Sequence, residues 1–246
     1  MSHRFFGRSR AALGLASAAM LVPPWLLMPP ASLPAKALER RFHRTIAAGF
    51  GLRPQVLGTP GAAGTMFVAN HISWADIISV GAVVDTDFVA KADVAAYPGI
   101  GALAGRTGTI FVERERRSQA GSQMEAIRQR LIAGRRVLMF PEGTTSDGRG
   151  LLPFRSSLFA AADAAVAVQP VTIRYTAPGG APLDPAALDA IAWIGDEDML
   201  PNALALARQR ASVVLHFHEP VAPSAFETRK ALAEHCRDVM LRHYLP

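Results

Sequence analysis

Cysteine is almost missing from this sequence, since Cys236 is the single one among 246 residues. A disulfide within the chain and a metal site built from cysteines are therefore excluded. Cys236 lies in LAEHCRDVMLRHY, a predicted C-terminal helix. A free cysteine in such a place usually packs as a small apolar side chain, so we expect Cys236 to be buried and to serve only in packing.

Charged residues are also scarce. They make up 19% of the chain, against about 25% in typical soluble domains, while 50% of the residues are hydrophobic and the mean hydropathy is +0.18. This composition favours a protein that contacts a membrane, without requiring several membrane spans. The net charge of +6 suits anionic lipid head groups, an acidic carrier protein or nucleic acid. Because the basic residues are dispersed and no recognition helix is visible, we expect no nucleic-acid partner.

The segment 11–33 has no charged residue, and basic residues flank it on both sides. A membrane-spanning helix needs about 20 apolar residues, but Pro23–Pro24 and Pro29–Pro30 interrupt this run. We therefore expect an interfacial or re-entrant membrane anchor, with a kinked span and a cleavable signal peptide as alternatives. The predicted organisation is a hydrophobic and basic membrane-association segment, 1–45, followed by one α/β domain, 46–246.

From residue 65 onward, short β-like runs alternate with helical patterns. This alternation predicts an α/β fold with a central, mostly parallel or mixed sheet that is flanked by helices. The predicted strands are TMFVAN, DFVAKA, GTIFVER, RVLMFPE, AVQPVTIRY and SVVLHFH. The predicted helices are Asp76–Val84, Ser118–Ala133, Ser157–Ala164, Pro201–Arg210 and Arg229–Tyr244.

The stretch NHISWAD, 70–76, follows the first of these strands. His71 and Asp76 would lie about 140° apart on a regular helix and could not meet there. However, Ser73-x-x-Asp76 is typical of a capping box, which turns the acid back toward the residues before the helix. Imidazole and carboxylate can then meet, with Asp76 holding the tautomer and His71 acting as a general base. These residues alone leave open a purely structural alternative, a strand end and a capped helix with Trp74 packed on the core.

Three further motifs lie at strands. The run PEGT, 141–144, places a glycine at a strand end, where backbone amides can approach a ligand closely. The run GTIFVER, 108–114, ends in Arg114, whose planar guanidinium suits an anionic head group. In VQPV, 168–171, the proline predicts an edge or bulge position in its strand.

Together with NHISWAD, these motifs resemble the glycerolipid acyltransferase family that includes the 1-acylglycerol-3-phosphate acyltransferases. The family blocks N-H-x4-D, G-x-x-F-[IV]-x-R, F-P-E-G-[TS] and V-x-P-[VI] occur in order over about 100 residues. The resemblance implies that His71 deprotonates the free hydroxyl of a lysolipid, Asp76 orients the ring, and the oxygen attacks an acyl thioester directly. A covalent acyl-enzyme is disfavoured because the chain has no G-x-S-x-G elbow.

The same resemblance implies the rest of the site. Arg114, Glu142 and Gly143 are expected to bind the polar head of the acceptor, and the full substrate-binding set is Asn70, Ser73, Arg114, Glu142, Gly143, Thr144 and Arg155. The expected partners are membrane lipids and a thioester of coenzyme A or acyl carrier protein, with no separate cofactor. The expected location is the inner (cytoplasmic) membrane, with the catalytic domain facing the cytoplasm.

One position departs from the family pattern. Many lysophosphatidate acyltransferases carry arginine where this chain has Thr145, and Arg155 would replace that charge if the next helix turns toward the site. The runs EGTTSDG, LPFRSSLF and WIGDEDMLP also resemble a bacterial sub-group that acylates lyso-ornithine lipid, whose zwitterionic head needs less positive charge. Lysophosphatidate is the first predicted acceptor and lyso-ornithine lipid the alternative. A non-catalytic lipid-binding protein is the alternative from another class.

His216 and His218 lie on one face of a predicted strand, because side chains alternate along it. No third ligand is evident in the sequence, so the pair is interpreted as structural and no metal is predicted. The acidic run GDED, 195–198, lacks regular ligand spacing. It is interpreted as a loop before a helix.

Overall fold

The computed structural model describes residues 2–112, 120–195 and 197–244. Within them, the strands are β1 (Leu52–Leu57), β2 (Thr65–Ala69), β3 (Asp87–Lys91), β4 (Ile110–Val112), β5 (Val137–Met139), β6 (Ala167–Thr176) and β7 (Ala211–Phe217). The α-helices are α1 (Ser2–Ala19), α2 (Val22–Leu26), α3 (Leu33–Phe50), α4 (Ala75–Gly81), α5 (Ile100–Arg106), α6 (Ala120–Ile132), α7 (Pro185–Ile191), α8 (Met199–Leu206) and α9 (Arg229–Tyr244).

The described strands form one sheet in the order β1-β7-β6-β2-β5-β3-β4. Every neighbouring pair is parallel except β6 and β7, which run antiparallel. Helices follow most strands, as the crossover between parallel neighbours requires. The predicted α/β fold with a mostly parallel, mixed sheet is confirmed.

The two faces of the sheet are both buried, because side chains alternate along each strand. In β2, Phe67 and Ala69 join one core cluster, while Met66 and Val68 join the other. The first cluster lies under the N-terminal helices and α4, and the second lies under α6 and α9. Cys236 of α9 is fully buried in the second cluster, and burial raises the pKa of its thiol to about 12.

Some elements were not predicted from the sequence. Strand β1, LRPQVL, contains Pro54, is largely exposed, and occupies the sheet edge next to β7. Helix α5 contains two glycines and α7 follows a proline-rich loop, so neither shows a strong helical pattern. The helix predicted for 157–164 is replaced by two short 3-10 turns, Ser156–Phe159 and Ala162–Ala164.

Pro170 lies in β6, which is a central strand and not an edge. Val168 pairs with Val221, whereas Val171 pairs with Phe217, so the antiparallel register shifts by one residue between these pairs. The carbonyl of Pro170 accepts the His218 N–H at 3.0 Å inside this irregular stretch. The bulge is therefore the alternative that the structure adopts.

The N-terminal segment forms three helices, of which α1 and α3 pack antiparallel. Gly14 and Gly49 make this approach possible, since a Cβ on Gly14 would lie 2.5 Å from the Gly49 Cα. Pro23–Pro24 lies in the first turn of α2, where proline is tolerated. In the described part of the chain, no helix has both the length and the apolar character needed to cross a bilayer. The predicted boundary after residue 45 falls inside α3.

Candidate active site

His71 and Asp76 meet at the start of α4. His71 lies in the loop after β2, and Asp76 lies in the first turn of the helix. The Nδ1 atom of His71 is 2.8 Å from Oδ2 of Asp76. The His71 side chain is 13% exposed and the Asp76 side chain is 0% exposed. The two groups can meet because the chain becomes helical only at Ala75, so the regular 140° separation does not apply.

The carboxylate of Asp76 is saturated with hydrogen-bond donors. Its Oδ2 accepts the backbone N–H groups of Ile72 at 2.7 Å and Ser73 at 3.0 Å, and its Oδ1 accepts the Tyr175 hydroxyl at 2.6 Å. Burial first, and then the charge of Asp76, raises the pKa of Tyr175 well above its ordinary value, so the phenol stays a donor. A buried carboxylate needs such partners to remain ionised.

The capping box is formed only in half. The carboxylate of Asp76 reaches back to the Ser73 N–H as expected. The Ser73 hydroxyl, however, accepts a long bond of 3.4 Å from the Ala75 N–H, and the Asp76 N–H is bonded to the Ser73 carbonyl instead. Trp74, and not Ser73, occupies the N-cap position of α4. The prediction of Ser73 as the N-cap was wrong, because the chain makes one tight turn before it becomes helical.

Phe140 lies against the ring of His71. The two ring centroids are 3.8 Å apart and the planes differ by 10°, so the rings are stacked. The His71 carbonyl accepts the N–H of Ser146 at 2.8 Å and its hydroxyl at 3.1 Å. The stacked Phe140 ring restrains one face of the imidazole, and the two bonds from Ser146 restrain the main chain of His71. With Nδ1 held by Asp76, Nε2 is the ring nitrogen that remains to accept a proton from substrate.

Glu142 is a buried carboxyl group next to this pair, with 2% exposure. Burial, and after it the charge of Asp76, raises the pKa of Glu142 to about 8. The amides of His71 and Leu152 and the Arg237 guanidinium oppose it. Neither carboxyl oxygen forms a hydrogen bond of normal geometry within the described residues. Near neutral pH this group therefore tends to keep its proton.

Thr144 and Arg155 form an exposed rim beside Glu142, and Gly143 is buried beneath them. Gly143 has φ +73°, and a Cβ there would lie 2.9 Å from the guanidinium carbon of Arg155. The Arg155 N–H donates to the Pro141 carbonyl at 2.9 Å, and the following 3-10 turn, Ser156–Phe159, begins at this point. Arg155 thus does reach the PEGT turn, and both Arg155 and Thr144 are exposed.

Asn70 and Ser73 are fully buried. The Asn70 side chain donates to the Ile173 carbonyl at 3.0 Å and accepts the Ile173 N–H at 2.7 Å. Its amide is therefore occupied by the main chain of β6, which favours a positioning role over direct contact with substrate. The predicted head-group residue Arg114 lies outside the described residues.

The loop between α7 and α8, together with α8, holds the 70–76 segment in place by hydrogen bonds. The Thr145 hydroxyl donates to the Trp193 carbonyl, and the Trp193 N–H donates to the Ile72 carbonyl at 3.0 Å. The Trp74 indole N–H donates to Asn202 at 2.8 Å. Tyr175, Phe140 and Asn202 were not predicted as part of the site. Phe140 is the first residue of the FPEG block, which was the one available signal.

Several known proteins resemble this chain in sequence or in fold. The acyltransferase family model matches residues 55–174. A lyso-ornithine lipid O-acyltransferase of Brucella abortus is 40% identical over 208 residues, 80% of this chain and 78% of the relative. A 1-acyl-sn-glycerol-3-phosphate acyltransferase of Neisseria meningitidis is 39% identical over 113 residues, 46% of this chain and 44% of the relative.

The crystal structure of the 1-acyl-sn-glycerophosphate acyltransferase PlsC from Thermotoga maritima shares the fold. It superposes with a TM-score of 0.71, covers 98% of this chain and 92% of its own, and is 22% identical. At this identity the likeness speaks for the fold, whereas the Brucella relative matches in sequence over most of both chains. The chain belongs to the acyltransferase family.

Proposed function

We propose that this protein transfers an acyl group from a thioester to the free hydroxyl of a lysolipid, with His71 as the general base. The observation that carries the proposal is the 2.8 Å contact between His71 Nδ1 and the buried Asp76 carboxylate. This contact orients the ring and leaves Nε2 basic. The relatives named above are lysolipid acyltransferases, which supports the same reaction.

The reaction proceeds without a covalent enzyme intermediate. His71 Nε2 takes the proton of the acceptor hydroxyl as its oxygen attacks the thioester carbonyl. The carbon–sulfur bond then breaks, and the imidazolium returns the proton to the leaving thiolate. Asp76 stabilises the transient imidazolium, since its carboxylate already touches the ring. The acyl donor, coenzyme A or acyl carrier protein thioester, is a substrate, and the reaction needs no separate cofactor.

We infer that the acceptor is a lyso-ornithine lipid. The Brucella relative with that activity matches over 78% of its length, whereas the lysophosphatidate relative matches over 44%. The residue at position 145 also supports this acceptor, because its hydroxyl is bonded to the Trp193 carbonyl and it brings no positive charge to the site. This reverses the order of the two acceptors predicted from the sequence.

Lysophosphatidate remains the second candidate, for one reason. Arg155 is exposed and lies directly over Gly143, where its guanidinium could contact a phosphate. A single arginine at this rim would also serve the carboxylate of an ornithine head group. The two acceptors therefore differ in how strongly they would depend on Arg155.

We further infer that the α1–α3 segment lies in the surface of the cytoplasmic membrane, with the catalytic domain facing the cytoplasm. Leu27 and Leu33, at the turn between α2 and α3, are both 88% exposed. Other large apolar side chains of this segment are exposed as well, namely Phe6, Leu13, Leu15, Met20 and Leu26. Such a concentration of exposed apolar side chains suits the interfacial region of a bilayer.

Vesicle binding tests the membrane assignment. Changing both Leu27 and Leu33 to Glu should strongly weaken sedimentation of the protein with vesicles that contain anionic lipid. Leu200 and Ile132 are exposed apolar residues elsewhere on the surface, so the Leu200→Glu, Ile132→Glu variant is the matched control and should bind normally. Equal binding by both double variants would place the membrane contact elsewhere.

Acyl transfer by the purified, detergent-solubilised protein tests the function. Lyso-ornithine lipid and lysophosphatidate are offered in parallel, each with coenzyme A and carrier-protein donors, and His71→Ala is the control. We expect turnover of lyso-ornithine lipid that disappears in the variant. Turnover of lysophosphatidate alone would reverse the acceptor assignment. Lipid binding without turnover by the wild-type protein would favour the non-catalytic alternative.

A further inference from the structure

Three histidines converge on the face of the sheet that α9 covers. His216 and His218 come from β7 and the residue after its end, and His243 comes from the last turn of α9. One ring nitrogen from each histidine lies within 4.8 Å of those of the other two. The ring centroids are 4.0 Å apart for His216 and His218, 4.8 Å for His218 and His243, and 5.2 Å for His216 and His243.

This cluster is separate from the catalytic pair. His216 pairs with Thr172 in the sheet, and Tyr175 belongs to the opposite face because side chains alternate along β6. Tyr175 is the residue that touches Asp76. The catalytic pair and the three histidines therefore lie on opposite faces of the same sheet.

We propose that His216, His218 and His243 bind one divalent late transition metal ion, of which Zn²⁺ is the reference case. Three imidazoles and an open fourth position are an established ligand set for zinc, in which the nitrogens lie about 3.4 Å apart for bonds of about 2.1 Å. To bind one ion, the ring nitrogens must move from separations of up to 4.8 Å to about 3.4 Å. His243 is exposed and sits at the end of a helix, so its side chain can rotate to close this distance.

One ligand is already oriented by a hydrogen bond of the kind that metal-binding histidines make. Nε2 of His218 lies 2.7 Å from the Thr172 hydroxyl, and the pair is buried. When Nε2–H donates to this hydroxyl, Nδ1 keeps its lone pair for a metal. Partners of this kind fix the tautomer of metal-ligating histidines. The hydroxyl of Thr172 would fill that role here.

Positive charge lies close to the cluster. Arg174 acts electrostatically on His216, and Arg242 acts on His218. Because these arginines repel a cation, we expect weaker metal binding than at a three-histidine site without them.

Metal titration of the full chain tests this site. The protein is purified without a polyhistidine tag, stripped with chelator and titrated with Zn²⁺ by calorimetry and with Co²⁺ by visible absorption. We expect one ion per chain and, in excess Zn²⁺, a Tm increase of roughly 5 °C. Affinity should fall on the order of tenfold or more in His216→Ala and in His243→Ala.

His235→Ala is the matched control. His235 is also on α9 but contacts Phe226 and is not part of the cluster, so this variant should bind as the wild type does. Binding that is unchanged in His243→Ala, or equally lost in His235→Ala, would overturn the assignment. So would an absence of Zn²⁺ and Co²⁺ binding in the wild type, or binding of inorganic phosphate at these histidines in place of a cation.

Discussion

Two groups of histidine in this molecule differ in what surrounds them. His71 lies against the carboxylate of Asp76, and every other contact of that carboxylate is a hydrogen-bond donor. His216 and His218 have no carboxylate among the groups that shift their pKa, which are other histidines and arginines. The first environment stabilises an imidazolium and suits proton transfer, whereas the second disfavours it and suits a metal ligand.

Replacing one histidine from each group should separate the two roles most clearly. His71→Ala removes the base, and we expect kcat for acyl transfer to fall by about 10²–10⁴-fold. His243→Ala should leave acyl transfer within about twofold, because it touches the opposite face of the sheet. Steady-state kinetics with the accepted lysolipid measures both. A similar loss in the two variants would mean that the groups are not independent.

Asp76→Asn keeps the shape of the side chain and removes its charge. We expect kcat to fall by about a hundredfold or more, because the amide no longer stabilises the imidazolium or holds its tautomer. We also expect a loss of unfolding free energy of about 2 kcal/mol, since charge-assisted bonds to two backbone N–H groups and to Tyr175 are weakened. Kinetics and denaturant unfolding measure these effects.

Tyr175→Phe is the control for the Asp76 variant. It removes one of the donors to the carboxylate and leaves the His71 contact in place. Its effect on kcat should therefore be clearly smaller than that of Asp76→Asn. An effect of equal size would assign the activity loss to disturbed structure and not to the charge.

Glu142→Gln tests the buried carboxyl group beside the catalytic pair. Folding raises the pKa of Glu142 from 4.5 to about 8, so between these values the unfolded chain has lost a proton that the folded chain keeps. Wild-type stability should therefore fall as the pH rises through this window, by at most about 1.4 kcal/mol per pH unit. The fall is absent below about pH 4.5 and complete above about pH 8.

The Glu142→Gln variant lacks this titrating group, so its stability should not show the pH-dependent fall that Glu142 causes in the wild type. Urea unfolding of both proteins at several pH values between 4.5 and 8 measures the difference. We expect the stability of the variant relative to wild type to improve steadily with pH. Parallel curves would show that Glu142 is charged in the folded state.

Ser73→Ala should have the smallest effect. The hydroxyl makes one long bond, 3.4 Å to the Ala75 N–H, and does not occupy the N-cap position. We expect a loss below about 0.5 kcal/mol, compared with about 1 kcal/mol for a typical N-cap serine. Thermal unfolding measures the loss of stability. A rise in KM without a loss of stability would instead support the predicted contact between Ser73 and substrate.

Much of the fold was predictable because it depends on local patterns. Strands β2 to β7 appear as short runs of β-branched and aromatic residues, and α9 was predicted with its observed bounds, Arg229–Tyr244. Strand β1 was missed because Pro54 and its exposed side chains give it no clear pattern. The N-terminal segment was predicted as apolar and interrupted, but its packing of α1 on α3 depends on two glycines 35 residues apart.

The candidate site was likewise predictable only where its residues are close in sequence. His71 and Asp76 are close in sequence, and the short spacing together with the helix start brings them together. Tyr175 is 99 residues from Asp76, so no local pattern could reveal their contact. Arg155 and Gly143 are 12 positions apart, so only the tertiary structure shows that they meet.

The sequence by itself determined the family blocks, the order of strands β2 to β7 and the His71–Asp76 pair, because each follows from alternation, turn chemistry or short spacing. Only the tertiary structure decided which side chains complete the two histidine groups. Tyr175 joins Asp76 because β6 lies beside β2 in the sheet. His243 joins His216 and His218 because α9 packs back across the sheet from far along the chain. Contacts of this kind depend on how distant segments bury their apolar faces together, and single-sequence patterns do not encode that pairing.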